Sequence, residues 1–186
     1  MKTEQELIQG CREEKRKYQE ALYRHFYSFA ISVCLRYTGN RDDALEILND
    51  SFMKVFNNIH TYDDIRPFKT WFRRILINTA LDHYRANRRY LRLADPGVDI
   101  DTVEPSVDPD VEITMNAGEI LKLFNRLPDI HRVIFNLYEV EGYNHEEIAG
   151  MLDIAPGTSR SHLSRAKKKL EALYADYLKQ ENHEAI

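Results

Sequence analysis

Several chemical repertoires are missing from this chain of 186 residues. Its two cysteines, Cys11 and Cys34, have neither the number nor the spacing of a disulfide framework or a zinc site, so a reducing compartment is the simpler expectation. Seven glycines form no G-x-G-x-x-G or P-loop pattern, so no loop is built to cradle a phosphate. No apolar run approaches the roughly 20 residues of a membrane span. Residues 1–17 are polar and charged, unlike a signal peptide. A cytoplasmic, soluble protein without membrane insertion is expected.

Catalytic signatures are equally scarce. His145-Glu146-Glu147 lacks the second histidine of a zinc protease, Asp99 and Asp101 sit in an aperiodic stretch, and no nucleophile stands in a recognisable setting. No active site, metal or cofactor is assigned.

One sign of charge is also missing locally. Between Leu93 and Leu121 there is no Lys or Arg against eight acids, whereas Arg66 to Arg92 holds eight basic residues against Asp82 alone. A second basic stretch, Thr158 to Lys169, has five basic residues and no acid. A net charge of -4 conceals this sorting. Two basic segments divided by an acidic connector point to two contacts with one polyanion.

Apolar residues recur at three and four along most of the chain, and strict alternation is rare, so the fold class is all-α. A first helix covers Lys2 to Cys11 and beyond. A second, with Leu22, Phe26, Phe29, Ala30 and Val33 inward, runs to about Tyr37, with Gly39 as a stop. Asn40 and Asp43 form a capping-box-like start for a third helix, which turns Ala44, Ile47, Leu48, Phe52, Val55 and Phe56 inward. After a loop around residues 60–66, Pro67 opens a long helix through Trp71, Phe72, Ile75, Leu76, Ala80 and Tyr84.

From Ala94 to about Glu112, three prolines and many Asp residues read as a flexible linker. Two small helical domains are therefore expected, residues 1–93 and 113–186, joined by an acidic linker over 94–112. In the second, Pro128 starts a helix ending near Gly142, and Asn144 with Glu147 makes a capping box before Ile148, Ala149 and Leu152. Asp153-Ile154-Ala155 then turns into a final helix opened by Pro156, with Ser159, Leu163, Ala166, Leu170 and Leu173 inward. Short helix, tight turn and basic helix make a helix-turn-helix.

The inward stripe of that last helix leaves Arg160, Ser161, Ser164, Arg165 and Lys168 outward near its N-terminal half. A helix whose N-terminal end leads into the major groove sets such residues on base edges, where Arg can donate two hydrogen bonds to guanine. A solvated basic face is the plainer meaning of such a run. The helix from Phe68 to about Arg92 differs. It interleaves Trp71, Phe72, Tyr84 and Tyr90 with Arg73, Arg74, Arg85, Arg88, Arg89 and Arg92, a composition that suits unstacked bases of a single strand. Asn78 can read a base through its amide; Trp71 can equally pack in the core.

In sequence blocks the chain resembles the extracytoplasmic-function (ECF) group of bacterial RNA polymerase sigma factors, from about Leu22 to Tyr174. Tyr37-Thr38-Gly39-Asn40-Arg41-Asp42-Asp43-Ala44, Asp50-Ser51-Phe52-Met53-Lys54-Val55-Phe56, Phe68-Lys69-Thr70-Trp71-Phe72-Arg73-Arg74-Ile75 and Asn78-Thr79-Ala80-Leu81-Asp82 resemble sigma region 2. Leu127-Pro128, Tyr143-Asn144-His145-Glu146-Glu147-Ile148-Ala149 and Gly157-Thr158-Ser159-Arg160-Ser161-His162-Leu163-Ser164-Arg165-Ala166 resemble region 4.

The resemblance implies roles. Asp43, Glu46, Asn49 and Asp50 would face core RNA polymerase at the beta-prime clamp helices, and region 4 would meet the beta flap. Lys69, Trp71, Arg74, Asn78, Arg85 and Arg88 would hold the minus-ten element of promoter DNA, with Asn78 lining a pocket for a flipped base. Thr158, Arg160, Ser161, Ser164, Arg165 and Lys168 would contact the minus-thirty-five element. The acidic linker would thread a basic polymerase channel. An anti-sigma factor is the implied regulator. Ser159 replaces a usual apolar residue, and His162 stands where Arg or Lys is frequent, which leaves the minus-thirty-five preference open. A free-standing helix-turn-helix regulator would need only residues 113–178 and leaves the aromatic-basic helix unexplained.

Overall fold

A computed structural model describes residues 2–94 and 117–184, with side chains described over 2–90 and 121–177. Every regular element among them is helical, in agreement with the expected fold class. The order is α1 (Glu4–Arg12), α2 (Arg16–Cys34), α3 (Arg41–Asn58), a 3-10 turn (Ile59–Thr61), α4 (Phe68–Ala94), α5 (Ala117–Asn125), α6 (Asp129–Phe135), a π-helical segment (Asn136–Val140), α7 (His145–Leu152) and α8 (Pro156–Glu184). The linker expected over 94–112 lies, beyond Ala94, outside the described residues. Two compact units result, Met1–Leu35 with Arg41–His83, and Arg36–Asn40 with Tyr84–Ile186.

The first unit begins with a capping box. The Thr3 hydroxyl accepts from the Glu6 amide at 3.2 Å, and the Glu6 carboxylate accepts from the Thr3 amide at 2.8 Å. The first helix then stops at Arg12, where Glu14 adopts a left-handed φ of 54° and the chain reverses into α2. Gly10 permits that reversal, because a Cβ there would lie 2.1 Å from Cγ of Tyr18. The second helix ends at Cys34, earlier than the apolar pattern indicates, and Gly39 holds no positive φ.

Between α2, α3 and α4 lies a core rich in rings. Leu22, Phe26, Ala30, Ile47, Leu48, Phe52, Val55, Phe68, Phe72 and Leu76 are buried, each the inward member of its helical stripe. Phe26 meets Phe68 at 4.9 Å between centroids, and Phe52 meets Phe72 at 4.8 Å. Such pairs add about 0.5–1.5 kcal/mol each beyond their area. Burial also pushes the Cys11 thiol up to about 11, so it stays protonated at neutral pH.

The second unit is aliphatic at its centre, with Leu127, Ile130, Val133, Ile134, Leu137, Ile148, Leu152, Leu163 and Ala166 buried. The helix expected from Pro128 to Gly142 changes its hydrogen bonding midway. After Phe135 it widens into the π segment, where the Glu141 amide donates to the Asn136 carbonyl at 3.0 Å. Gly142, at φ 78°, then ends it. The Asn144 capping box forms in full: the Glu147 amide donates to Asn144 Oδ1 at 2.9 Å and the Asn144 amide to Glu147 Oε2 at 2.8 Å. Asp153 takes the left-handed C-cap of α7, and α8 opens at Pro156 as the proline predicts.

Candidate nucleic-acid interface

Two surfaces concentrate the chemistry that the sequence singles out. The first follows α4 and the loop before it. Trp71, Arg74, Asn78, Arg85 and Arg88 are spaced by three, four or seven residues and so share one helical stripe. At 1.5 Å per residue, Trp71 to Asn78 spans about 10 Å of that stripe. Arg74, Asn78 and Arg85 are exposed, while Trp71 and Arg88 are half-buried. Phe68, Phe72 and Leu76 turn to the core, and Leu81, which falls on the stripe between Asn78 and Arg85, is buried as well.

Trp71 takes neither extreme position. Its ring rests on Tyr62 at 5.3 Å and on Phe68 at 5.6 Å while its other side reaches the surface. Lys69 is exposed and its ammonium lies over the Phe29 ring at 4.5 Å; two residues before Trp71, it falls outside the stripe.

The loop from Tyr62 to Pro67 is braced from three directions. The Arg12 guanidinium forks onto Asp64 at 3.0 and 3.3 Å and onto the Tyr62 carbonyl at 2.8 Å. The Tyr62 hydroxyl donates to the Arg66 carbonyl, and the Ile65 amide donates to Asp63 Oδ1 at 3.1 Å. Ile65 is thereby presented to solvent, 88% exposed at the loop tip. Pro67 stands just outside α4, its carbonyl accepting from the Thr70 amide at 3.0 Å, one position earlier than expected. Arg12 and Ile65 escaped the sequence reading. The contact of Arg12 lies some fifty residues away in the chain, so nothing local announces it.

The second surface is the N-terminal half of α8. Thr158, Arg160, Ser161, Ser164, Arg165 and Lys168 are all exposed, and Ser159, Leu163 and Ala166 are buried. Helical spacing alone thus brings the six candidates to one side. His162 is turned inward, 4% exposed, with its ring 5.2 Å from that of His131 on α6. It is a packing residue, although its sequence position is one where a cation is frequent.

Ser159 also finds its explanation. Its hydroxyl lies 3.0 Å from Nδ1 of His145, whose ring stacks on Tyr138 at 4.5 Å. A buried hydroxyl at a position otherwise suited to an apolar side chain is satisfied by the first residue of α7, which ties the two helices of the motif together. Across the same corner, Arg160 approaches Glu146 at 3.6 Å, with both side chains largely exposed. Lys167 donates to Glu139 at 2.6 Å, and that hydrogen bond raises its pKa. Lys168 lies one position on and is exposed.

On α3, Glu46, Asn49 and Asp50 are exposed and Asp43 is half-buried. Asn49 accepts from the Tyr23 hydroxyl at 3.2 Å, and Met53, 57% exposed, adds an apolar contact to this acidic face. Lys54 reaches Asp82 of α4 at 3.1 Å, and His83 reaches Glu46 at 3.7 Å. Among the described residues no helix is long and apolar enough to cross a membrane.

Comparison with known families places these surfaces in context. The Sigma-70 region 2 family matches residues 22–90, which include α3 and most of α4. The Sigma-70 region 4 family matches residues 117–170, which contain α7 and the first half of α8. The chain is 27% identical to the ECF RNA polymerase sigma-E factor of Haemophilus influenzae over 91% of its own length and 94% of that protein. It is 29% identical to the ECF RNA polymerase sigma factor SigE of Mycolicibacterium smegmatis, over 91% of this chain and 62% of that one. Among solved structures, the sigma factor RpoE of Bartonella quintana, determined with the anti-sigma factor NepR, shares the fold. Its TM-score is 0.51 at 22% identity, covering 84% of this chain and 96% of that one.

Proposed function

This chain belongs to the ECF group of the sigma-70 family, and from that premise we propose that it binds core RNA polymerase and directs it to a restricted set of promoters. Its family acts in transcription initiation and is not a class of catalysts. The observation that carries the finer reading is the sorting of exposed side chains. One stripe of amide, aromatic and guanidinium groups lies over a ring-packed core on α4, and one face of hydroxyl and guanidinium groups lies on the second helix of a helix-turn-helix.

Duplex readout falls to α8. Arg165 and Arg160 can each donate two hydrogen bonds to a guanine edge, Ser161 and Ser164 can reach either base type, and Thr158 and Lys168 suit phosphate. Single-strand capture falls to α4. Asn78 offers a donor and an acceptor to one unstacked base, Trp71 offers a partly open ring, and Lys69, Arg74, Arg85 and Arg88 neutralise the backbone. A surface that binds the open strand better than the duplex shifts the promoter towards the melted state. Asp43, Glu46, Asn49 and Asp50 form the face offered to the beta-prime clamp helices, and region 4 meets the beta flap. The acidic linker occupies a basic polymerase channel, an anti-sigma factor is the regulator, and the cytoplasm is the site of action.

Reconstitution tests this directly. The purified chain should co-elute with core polymerase, and the holoenzyme should start transcripts from genomic fragments that core alone ignores. If the chain binds a palindromic duplex by itself and fails to capture core enzyme, the proposal is wrong.

A further inference from the structure

Asp43 and Glu46 lie one helical turn apart on α3, and His83 faces them from α4. One ligand atom from each of the three lies within 4.8 Å of the other two. The imidazole is mostly covered, with 20% of its side chain exposed, whereas Glu46 is 64% exposed and can swing. Nε2 of His83 is already 3.7 Å from Glu46. We propose that Asp43, Glu46 and His83 form a binding site for one divalent transition-metal ion, with zinc as the working probe.

The donor set decides the class of ion. One imidazole nitrogen with two carboxylates suits zinc, cobalt or nickel, whereas calcium and magnesium favour all-oxygen cages. Three protein ligands on zinc leave a fourth position open to water. With bonds near 2.0–2.2 Å, tetrahedral ligands stand about 3.4 Å apart, so the site closes with about 1 Å of inward movement. Glu46, the exposed member, supplies most of that movement. His83 is the anchor, because α4 holds its ring against α3. A bound ion would clip α3 to α4.

The same two carboxylates belong to the face assigned above to core polymerase. On that reading, an occupied site withdraws Asp43 and Glu46 from docking, so the ion and the polymerase compete. Metal binding itself does not depend on that reading.

Isothermal titration of the full chain with zinc tests the site without polymerase. His83→Gln should weaken binding by at least about tenfold, since even partners behind a metal's direct ligands carry 10–100-fold. Glu46→Gln, on an exposed side chain whose loss leaves the core untouched, should weaken it as well. His25→Gln, on an exposed histidine of α2, should leave it unchanged. Equal zinc affinity in the wild type, His83→Gln and Glu46→Gln would overturn the proposal, as would loss of binding in His25→Gln alone. A second titration measures core-polymerase affinity with and without zinc. Zinc should lower it in the wild type and not in His83→Gln. Retained zinc binding with an unchanged polymerase affinity would leave the metal site standing and refute the docking role given to Asp43 and Glu46.

Discussion

Rings hold the first unit together, whereas the second packs aliphatic side chains around buried polar groups. In the first, the buried polar side chains among the described residues are Ser51 and Thr79, and each bonds a carbonyl one turn back in its own helix, Ile47 at 2.6 Å and Ile75 at 2.8 Å. In the second, His131, Arg132, Asn136, Ser159 and His162 are all buried, and several reach across helices. The difference matches the work proposed for each. A single strand can lie on a stiff platform of packed rings, which needs area more than direction. Duplex readout needs one helix held at a fixed angle, and directional bonds such as His145 to Ser159 fix angles.

The largest test of this contrast is Phe72→Ala. Phe72 is fully buried against Phe26, Phe52 and Phe68, so its loss should destabilise the first unit by about 3–5 kcal/mol. Trp71 is the sole tryptophan and sits on α4, so urea titration followed by its fluorescence reports this unit. A loss under about 1 kcal/mol would mean that the rings are not the support.

Next comes Arg165→Ala in the holoenzyme. It should weaken minus-thirty-five recognition by about 1–3 kcal/mol and relax preference at one base, measured by competition among promoter variants. Equal losses on every variant would assign Arg165 to phosphate.

Smaller again, Ser159→Ala should cost the second unit about 0.5–1.5 kcal/mol by removing the bond to His145. Calorimetry of the chain, wild type against variant, reads this directly. If Ser159→Ala left stability unchanged, direction would matter less there than claimed. The smallest effect belongs to Glu146→Gln. Its contact with Arg160 is exposed on both sides, and stability should change by less than about 1 kcal/mol, in calorimetry or urea.

How much of this could be read from the sequence depended on range. Signals that act within one turn were legible: Asn144 with Glu147, Pro156, and the inward spacing of Leu163 and Ala166 all appear where the residues placed them. Signals that need a distant partner were not. The corner between α1 and α2 depends on the Tyr18 ring lying on Gly10, and the π segment depends on the packing around Asn136 and Leu137. His162 was ambiguous for the same reason, since only the neighbouring His131 shows that it faces inward. On α8 the six candidates are exposed as their spacing indicates, whereas on α4 Arg74, Asn78 and Arg85 are exposed, Arg88 is half-buried, and Ile77, Thr79 and Leu81 are buried outside the apolar stripe read from the sequence. Trp71 was left undecided, and its half-buried position between Tyr62 and Phe68 shows why.

The division of labour is tested most directly by holoenzyme binding to two partial promoters. One carries only a single-stranded minus-ten element at a duplex junction, and the other carries only the duplex minus-thirty-five element. Asn78→Ala should weaken the first by about 1 kcal/mol or more and leave the second unchanged, and Arg165→Ala should do the reverse. If both variants lose equally on both templates, the two surfaces do not divide strand from duplex.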